Sequence, residues 1–326
     1  MRTPPRNRVL TYIVAAFMAA AISFAPTPYS LILPGSAIDV RDVLTVAGHK
    51  PPAQHYYMTD VTLQERVSPL MLLQGLMPGA RIVHTEEVLP KGVTIAQFDD
   101  LMKHAMNESQ SIAAVVAERA ANLGVRIPES SVSIGHFDPS SQAQRDLQPG
   151  DVLRTVNGKP VTTTVTVQNA LFKLKPGDQV NVTYWRKGRM HRARVKTMAI
   201  KGETRLGVYL LASFAAPHLA VPVEFKPFSV SGSSGGLMFA MDIYRTLKPA
   251  PSPVAKIAGT GTISYDGIVG PIEGAPQKLI AARRAGATVF FVPRENYSEI
   301  AGSHDMKVVP VHTFDEALKK LAGVNG

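Results

Sequence analysis

The chain has 326 residues, 45% of them hydrophobic and 18% charged, enough for about two domains with cores of their own and unlike a disordered tail. It contains no cysteine, which excludes thiol nucleophiles, CxxC redox chemistry, thiolate zinc sites and disulfides together, so any nucleophile is an oxygen or an amine. The formal net charge of +10 is spread along the chain without a basic helix or an aromatic-interleaved RNA motif, so nucleic acid is not an expected partner.

Arg2, Arg6 and Arg8 precede an uncharged apolar run from Val9 to Ala25, at the short end of the roughly 17–25 residues that cross a bilayer as a helix. Basic residues ahead of a span hold that end in the cytoplasm. Residues 1–8 therefore read as a cytoplasmic tail and 9–25 as a retained transmembrane anchor contacting membrane lipid. Everything after Ala25 is then extracytoplasmic. The alternative is a cleaved signal peptide ending at Ser23-Phe24-Ala25, where Pro26 is a poor residue to follow a cleavage site.

Residues 26–123 read as an extended, turn-rich segment followed by a helical scaffold. Pro26, Pro28, Pro34-Gly35, Gly48 and Pro51-Pro52 break helices. Tyr56 to Leu63 suits a strand, and Thr94 to Ala121 carries Met106, Ile112, Ala113, Val116, Ala117 and Ala120 at helical spacing.

Residues 124–200 form a second module. Pro149-Gly150 and Asn157-Gly158 supply turns around a short apolar strand. Leu171 to Asp178 ends a helix, and Val180 to Trp185 with Met190 to Thr197 forms a hairpin turning at Lys187-Gly188. The stretch Ala143 to Val161, with its leucine, Gly150-Asp151, apolar strand and Asn-Gly turn in that order, resembles the PDZ family. The resemblance implies a β-rich module that takes a peptide as an added strand, with Ser131 to Phe137 the candidate carboxylate-binding loop. Arg186, Lys187, Arg189, Arg192, Arg194 and Lys196 alternate along the hairpin and read as its solvated face. The competing reading is contact with anionic lipid headgroups.

The chemistry lies in the last third. In Ser229-Val230-Ser231-Gly232-Ser233-Ser234-Gly235-Gly236, a serine sits among small residues just before the apolar helical run Leu237 to Met241. Small residues allow a sharp turn and close approach of a substrate carbonyl. The helix start offers free N–H groups and a positive dipole end for an oxyanion. Such turns are mostly simple caps when met alone. The second half is Thr260-Gly261-Thr262-Ile263, an Asp266-Gly267 turn, Ile268-Val269-Gly270-Pro271, and a Gly/Pro-opened helix carrying Lys278.

Together the two motifs resemble the proteolytic domain of Lon proteases over roughly Gly207 to Leu321. The resemblance places the family's nucleophile on Ser234, its lysine general base on Lys278 and its supporting threonine on Thr260. Three departures stand out. The family's usual Pro-Ser-Ala-Gly tetrad is Ser233-Ser234-Gly235-Gly236 here, and an acidic residue found three positions before the nucleophile in ATPase-linked members is Ser231. Thr262 likewise replaces the glutamate that often follows Thr-Gly. Anchor, PDZ-like module and Lon-like domain in this order resemble the membrane-bound PDZ-containing Lon-like proteases of Gram-positive bacteria.

The expected fold class is α+β, with a Lon-type proteolytic domain over residues 207–326. A serine hydroxyl needs a base to take its proton, and a lysine amine serves only when burial or neighbours lower its pKa. No histidine lies in HExxH spacing and no GxxxxGK[ST] loop occurs, so neither a metal, a cofactor nor an ATPase motor is expected. The expected substrates are flexible or unfolded polypeptides. Ring assembly among relatives with Lon-type domains leaves a homo-oligomer open. The alternative is an inactive membrane scaffold that binds peptides through the PDZ-like module.

Overall fold

The computed structural model describes residues 12, 17–18, 23–89, 94–127, 130–161, 164–171, 174–200, 203–215, 217–250, 256–302 and 306–324. The predicted span over 9–25 lies largely outside the described residues, and among them no helix is long and apolar enough to cross a membrane. The chain divides into two compact units, one built from residues 1–90, 95–124 and 219–326, the other from 91–94 and 125–218.

The first unit opens with strand β1 (Tyr29–Asp39), strand β2 (His55–Gln64), strand β3 (Arg81–His84) and the long helix α1 (Ile95–Ala120). β1 pairs antiparallel with both β2 and β3, with a bulge between Pro34 and Ala37. Met106, Ser109, Ile112, Ala113, Val116 and Ala117 are buried on α1, the i, i+3, i+4 stripe of a helix lying on a core.

The chain then builds the second unit from β4 (Ser130–Phe137), β5 (Val152–Val156), helix α2 (Thr164–Leu171), β6 (Gln179–Arg186), β7 (Arg189–Lys196) and β8 (Val208–Phe214). Its antiparallel sheet runs β8-β4-β5-β6-β7. The core gathers Val132, Ile134, Leu153, Val180 and Val182, inward positions of alternating strands, together with Leu147 from the segment before β5. Lys187 (φ 49°) and Gly188 (φ 75°) are both left-handed, as a two-residue type I′ hairpin turn demands. Arg186 departs from the expected solvated face. Its guanidinium donates to both carboxylate oxygens of Asp151, at 2.7 and 2.6 Å, and Asp151 is 1% exposed. The expected loop at Ser131 to Phe137 is strand β4, paired with β8 on one side and β5 on the other.

Back in the first unit, the chain forms α3 (Gly236–Leu247), β9 (Lys256–Gly259), the hairpin β10 (Thr262–Ile263) and β11 (Val269–Gly270), α4 (Ala275–Arg284), β12 (Val289–Pro293), β13 (Lys307–Val311) and α5 (Phe314–Val324). The sheet order is β13-β12-β9-β2-β1-β3. β2, β9, β12 and β13 are mutually parallel, and the β1 pairings at the other end are antiparallel. β12 is buried at all five positions, as a parallel strand covered on both faces must be.

Residues 26–123 share a unit with the last third: β1 to β3 complete the sheet that β9, β12 and β13 begin, and α1 packs on α3. The last third does not start at residue 207, because β8 belongs to the second unit's sheet and the first unit resumes at Leu219. Glu118 of α1, fully buried, pins the return by accepting from the N–H groups of Ala220 (2.8 Å) and Val221 (2.9 Å).

Candidate active site

Ser234 lies in the turn that feeds α3, held from two sides by α1 and by the Thr260-Gly261 segment. Gly232, at φ +95°, reverses the chain and donates its N–H to the carbonyl of Met102 on α1 (2.9 Å). Ser109 Oγ, one helical stretch further along α1, donates to the Ser233 carbonyl (3.0 Å). The Ser234 carbonyl accepts from the Gly261 N–H (2.8 Å) and from Thr260 Oγ1 (3.1 Å). A side chain at Gly236 would place its Cβ 2.7 Å from Ser109 Oγ and 2.9 Å from Ile263, so only glycine lets α3 begin there.

Lys278 is the fourth residue of α4, after Gly274 in the left-handed region (φ 74°) at the cap and Pro276 in the first turn. Its N–H donates to the Gly274 carbonyl (3.0 Å). The neighbouring Gln277 donates to the Gly79 carbonyl (2.9 Å), tying the start of α4 to the loop before β3. Leu279 and Ala282 pack with Ala258 and Phe290 beneath the helix.

These elements bring the three predicted residues together. Lys278 Nζ lies 2.8 Å from Ser234 Oγ and 3.2 Å from Thr260 Oγ1. Lys278 is 3% exposed and Thr260 fully buried. Burial lowers the Lys278 pKa to about 8, against an opposing pull from the carboxylates of Asp60 and Glu273. Thr260 has one hydroxyl proton, and it is committed to the Ser234 carbonyl. Thr260 Oγ1 can therefore only accept from Lys278, which turns one N–H of the amine toward the threonine, while Nζ also donates to Ser234 Oγ and, once neutral, can present its lone pair there.

Several residues around this cluster carry no motif in the sequence. Ser109 supports the turn from a position 124 residues away, and Thr59 Oγ1 donates to the Gly259 carbonyl (3.1 Å) just before Thr260. Asp60, next along β2, is held by the β1 bulge, where the N–H and hydroxyl of Ser36 both donate to it. The one available signal was a lone acid in the otherwise uncharged strand Tyr56 to Gln64. Among the described residues there is no cluster of His, Asp and Glu fit to hold a metal ion.

Residues 213–323 match the Lon protease (S16) C-terminal proteolytic domain. The chain thus carries a serine-type peptidase domain of the Lon kind. Residues 111–197 match the PDZ domain family. A Lon protease of Campylobacter concisus is 37% identical over 110 residues, covering 31% of this chain and 13% of that protein. Lon protease 2 of Bacillus subtilis is 33% identical over 93 residues, 28% of this chain and 17% of that protein. The chain thus spans only 13 to 17% of the length of these relatives. Among solved structures, the PDZ domain of an SdrC-like protein from Listeria monocytogenes aligns at 22% identity and a TM-score of 0.25. It covers 27% of this chain and 94% of that one.

Proposed function

We propose that this chain is an ATP-independent serine endopeptidase, anchored in the membrane by residues 9–25, that cuts flexible or unfolded polypeptide segments. The observation that carries the reading is the buried Lys278 amine at 2.8 Å from Ser234 Oγ. Neutral Lys278 takes the Ser234 proton as Oγ attacks the scissile carbonyl. The N–H groups of the turn entering α3, at the positive end of that helix, stabilise the oxyanion. Lys278 then returns the proton to the leaving amine, and the same amine activates water to hydrolyse the acyl ester on Ser234. Thr260 keeps the amine aimed throughout. No metal or cofactor enters this sequence.

In the second unit, β8 is the terminal strand of the sheet and α2 packs beside it. An extended substrate segment adds to this edge through backbone hydrogen bonds, with adjacent side chains setting preference. The PDZ domain thus selects substrate and performs no chemistry.

A fluorophosphonate probe, which esterifies activated serines, tests the reading on the full chain. Labelling confined to Ser234 and lost in Lys278→Ala supports it. An unlabelled, folded protein supports the inactive scaffold instead. The location is tested separately: protease added to intact protoplasts should remove both units, and full protection would reverse the orientation.

A further inference from the structure

We propose that the loop Val67–Ala80 is a second membrane contact, an apolar wedge that enters the lipid surface beside the anchor; this rests on the anchored reading given above. The stretch Val67-Ser68-Pro69-Leu70-Met71-Leu72-Leu73-Gln74-Gly75-Leu76-Met77-Pro78-Gly79-Ala80 contains no charge. It holds large apolar side chains in water: Leu73 is 60% exposed, Leu76 86% and Met77 50%. Scattered exposed leucines are ordinary, but a run of them on one loop marks an interaction surface.

The loop is built to hold these side chains outward. Ser68 Oγ accepts from the Met71 N–H (3.3 Å) and caps the short helix Pro69–Leu72, which passes into a 3-10 turn over Leu73–Leu76. Met77 and Ala80 close it with N–H bonds to Gln74 and Met77 (both 3.0 Å). Its base is buried at Val67 and Ser68.

Its position names the occupant. Val67 accepts at its carbonyl from the N–H (3.1 Å) and the hydroxyl (2.5 Å) of Thr27, and its own N–H donates to the Tyr29 carbonyl (2.9 Å). The loop is therefore fastened to the chain two residues after the apolar run ends, a distance of at most about 7 Å of extended backbone. A bilayer that takes up residues 9–25 meets this loop at once. Exposed Arg66 and Arg81 bracket the apolar stretch, suited to lipid phosphates at either side of an inserted wedge. Half-exposed Tyr29 adds an aromatic ring of the kind enriched at that depth.

The absence of cysteine makes the test direct. The full chain with Leu76→Cys carries a nitroxide, is reconstituted into vesicles containing anionic lipid, and is compared with a label at exposed Ala301→Cys. Electron paramagnetic resonance power saturation should find position 76 more accessible to oxygen than to an aqueous nickel chelate, with the reverse at position 301. Nickel accessibility at 76 in vesicle-bound protein overturns the wedge and leaves the anchor standing. Dipolar broadening between labels assigns the surface to a second copy and also overturns it. Protein that stays out of the vesicles overturns the anchored reading and the wedge together. Substitution at so exposed a position leaves the core untouched, and none of these readouts depends on peptidase activity.

Discussion

Ser234→Ala is expected to bring peptide hydrolysis to background, a loss on the order of 10⁴-fold or more, and Lys278→Ala to do nearly the same. In the proposed mechanism the two side chains, 2.8 Å apart, form one proton-transfer unit, so the double variant should be little worse than either single one. Lys278→Arg should fail as well, because a guanidinium keeps its proton in proteins. Thr260→Val removes one hydrogen bond to the Ser234 carbonyl and the group that aims the amine. It should cost about 10- to 30-fold, the worth of one to two hydrogen bonds. Ser233→Ala should keep most activity, because the turn is held by the backbone carbonyl of Ser233. Initial rates on an unstructured peptide read all six variants; activity surviving in Lys278→Arg, or lost in Ser233→Ala and kept in Ser234→Ala, contradicts the assignment.

The second large effect concerns stability. Asp242 lies on α3, 1% exposed, and neither carboxylate oxygen has a hydrogen-bond partner among the described residues. Burial raises its pKa to about 7, with the Asp39 carboxylate adding to the rise and Arg41 opposing it. The native state therefore holds this proton more tightly than the unfolded chain does. Its stabilising contribution is intact below the ordinary carboxylate pKa near 3.8 and is lost as pH rises through about 7. Asp242→Asn removes the titration while keeping the shape. It should be close to neutral at pH 4 and stabilising at pH 8 by an amount on the order of 3–4 kcal/mol. Denaturant melts at the two pH values check this, and equal effects at both would show that Asp242 does not titrate in the folded state.

The juxtaposition of Ser234, Lys278 and Thr260 was legible because each of its parts is announced locally. Gly232 and Gly236 crowd Ser234 just before an apolar helix, and Gly274 and Pro276 open the helix that carries Lys278. The Lys187-Gly188 turn was readable for the same reason, since its two left-handed residues are adjacent in sequence. What the sequence hid is non-local. β2 joins the peptidase sheet through pairing with β9, and the Thr59 hydroxyl bonds to Gly259, 200 positions away. No periodicity in either strand records the partner. The same holds for Ser109, whose place on the buried stripe of α1 reads as packing until the Ser233 carbonyl appears beside it. In the second unit, the terminal strand β8 follows β7 only after an intervening short hairpin, and alternation alone could not assign it to that sheet rather than to the domain that follows. The buried pair of Asp151 and Arg186 was hidden by the same limit, since a charge on an alternating strand looks solvated until its partner is seen.

The pH dependence of kcat/KM on an unstructured peptide tests the central claim most directly, because it reads the ionisation of Lys278 in the free enzyme. Only the neutral amine accepts the Ser234 proton. The rate should therefore rise about tenfold per pH unit below the Lys278 pKa of about 8 and level off above it, along a single ionisation. A profile flat from pH 6 to 9, or one governed by a group titrating near 6.5 as a histidine does, would contradict the assignment of Lys278 as the base.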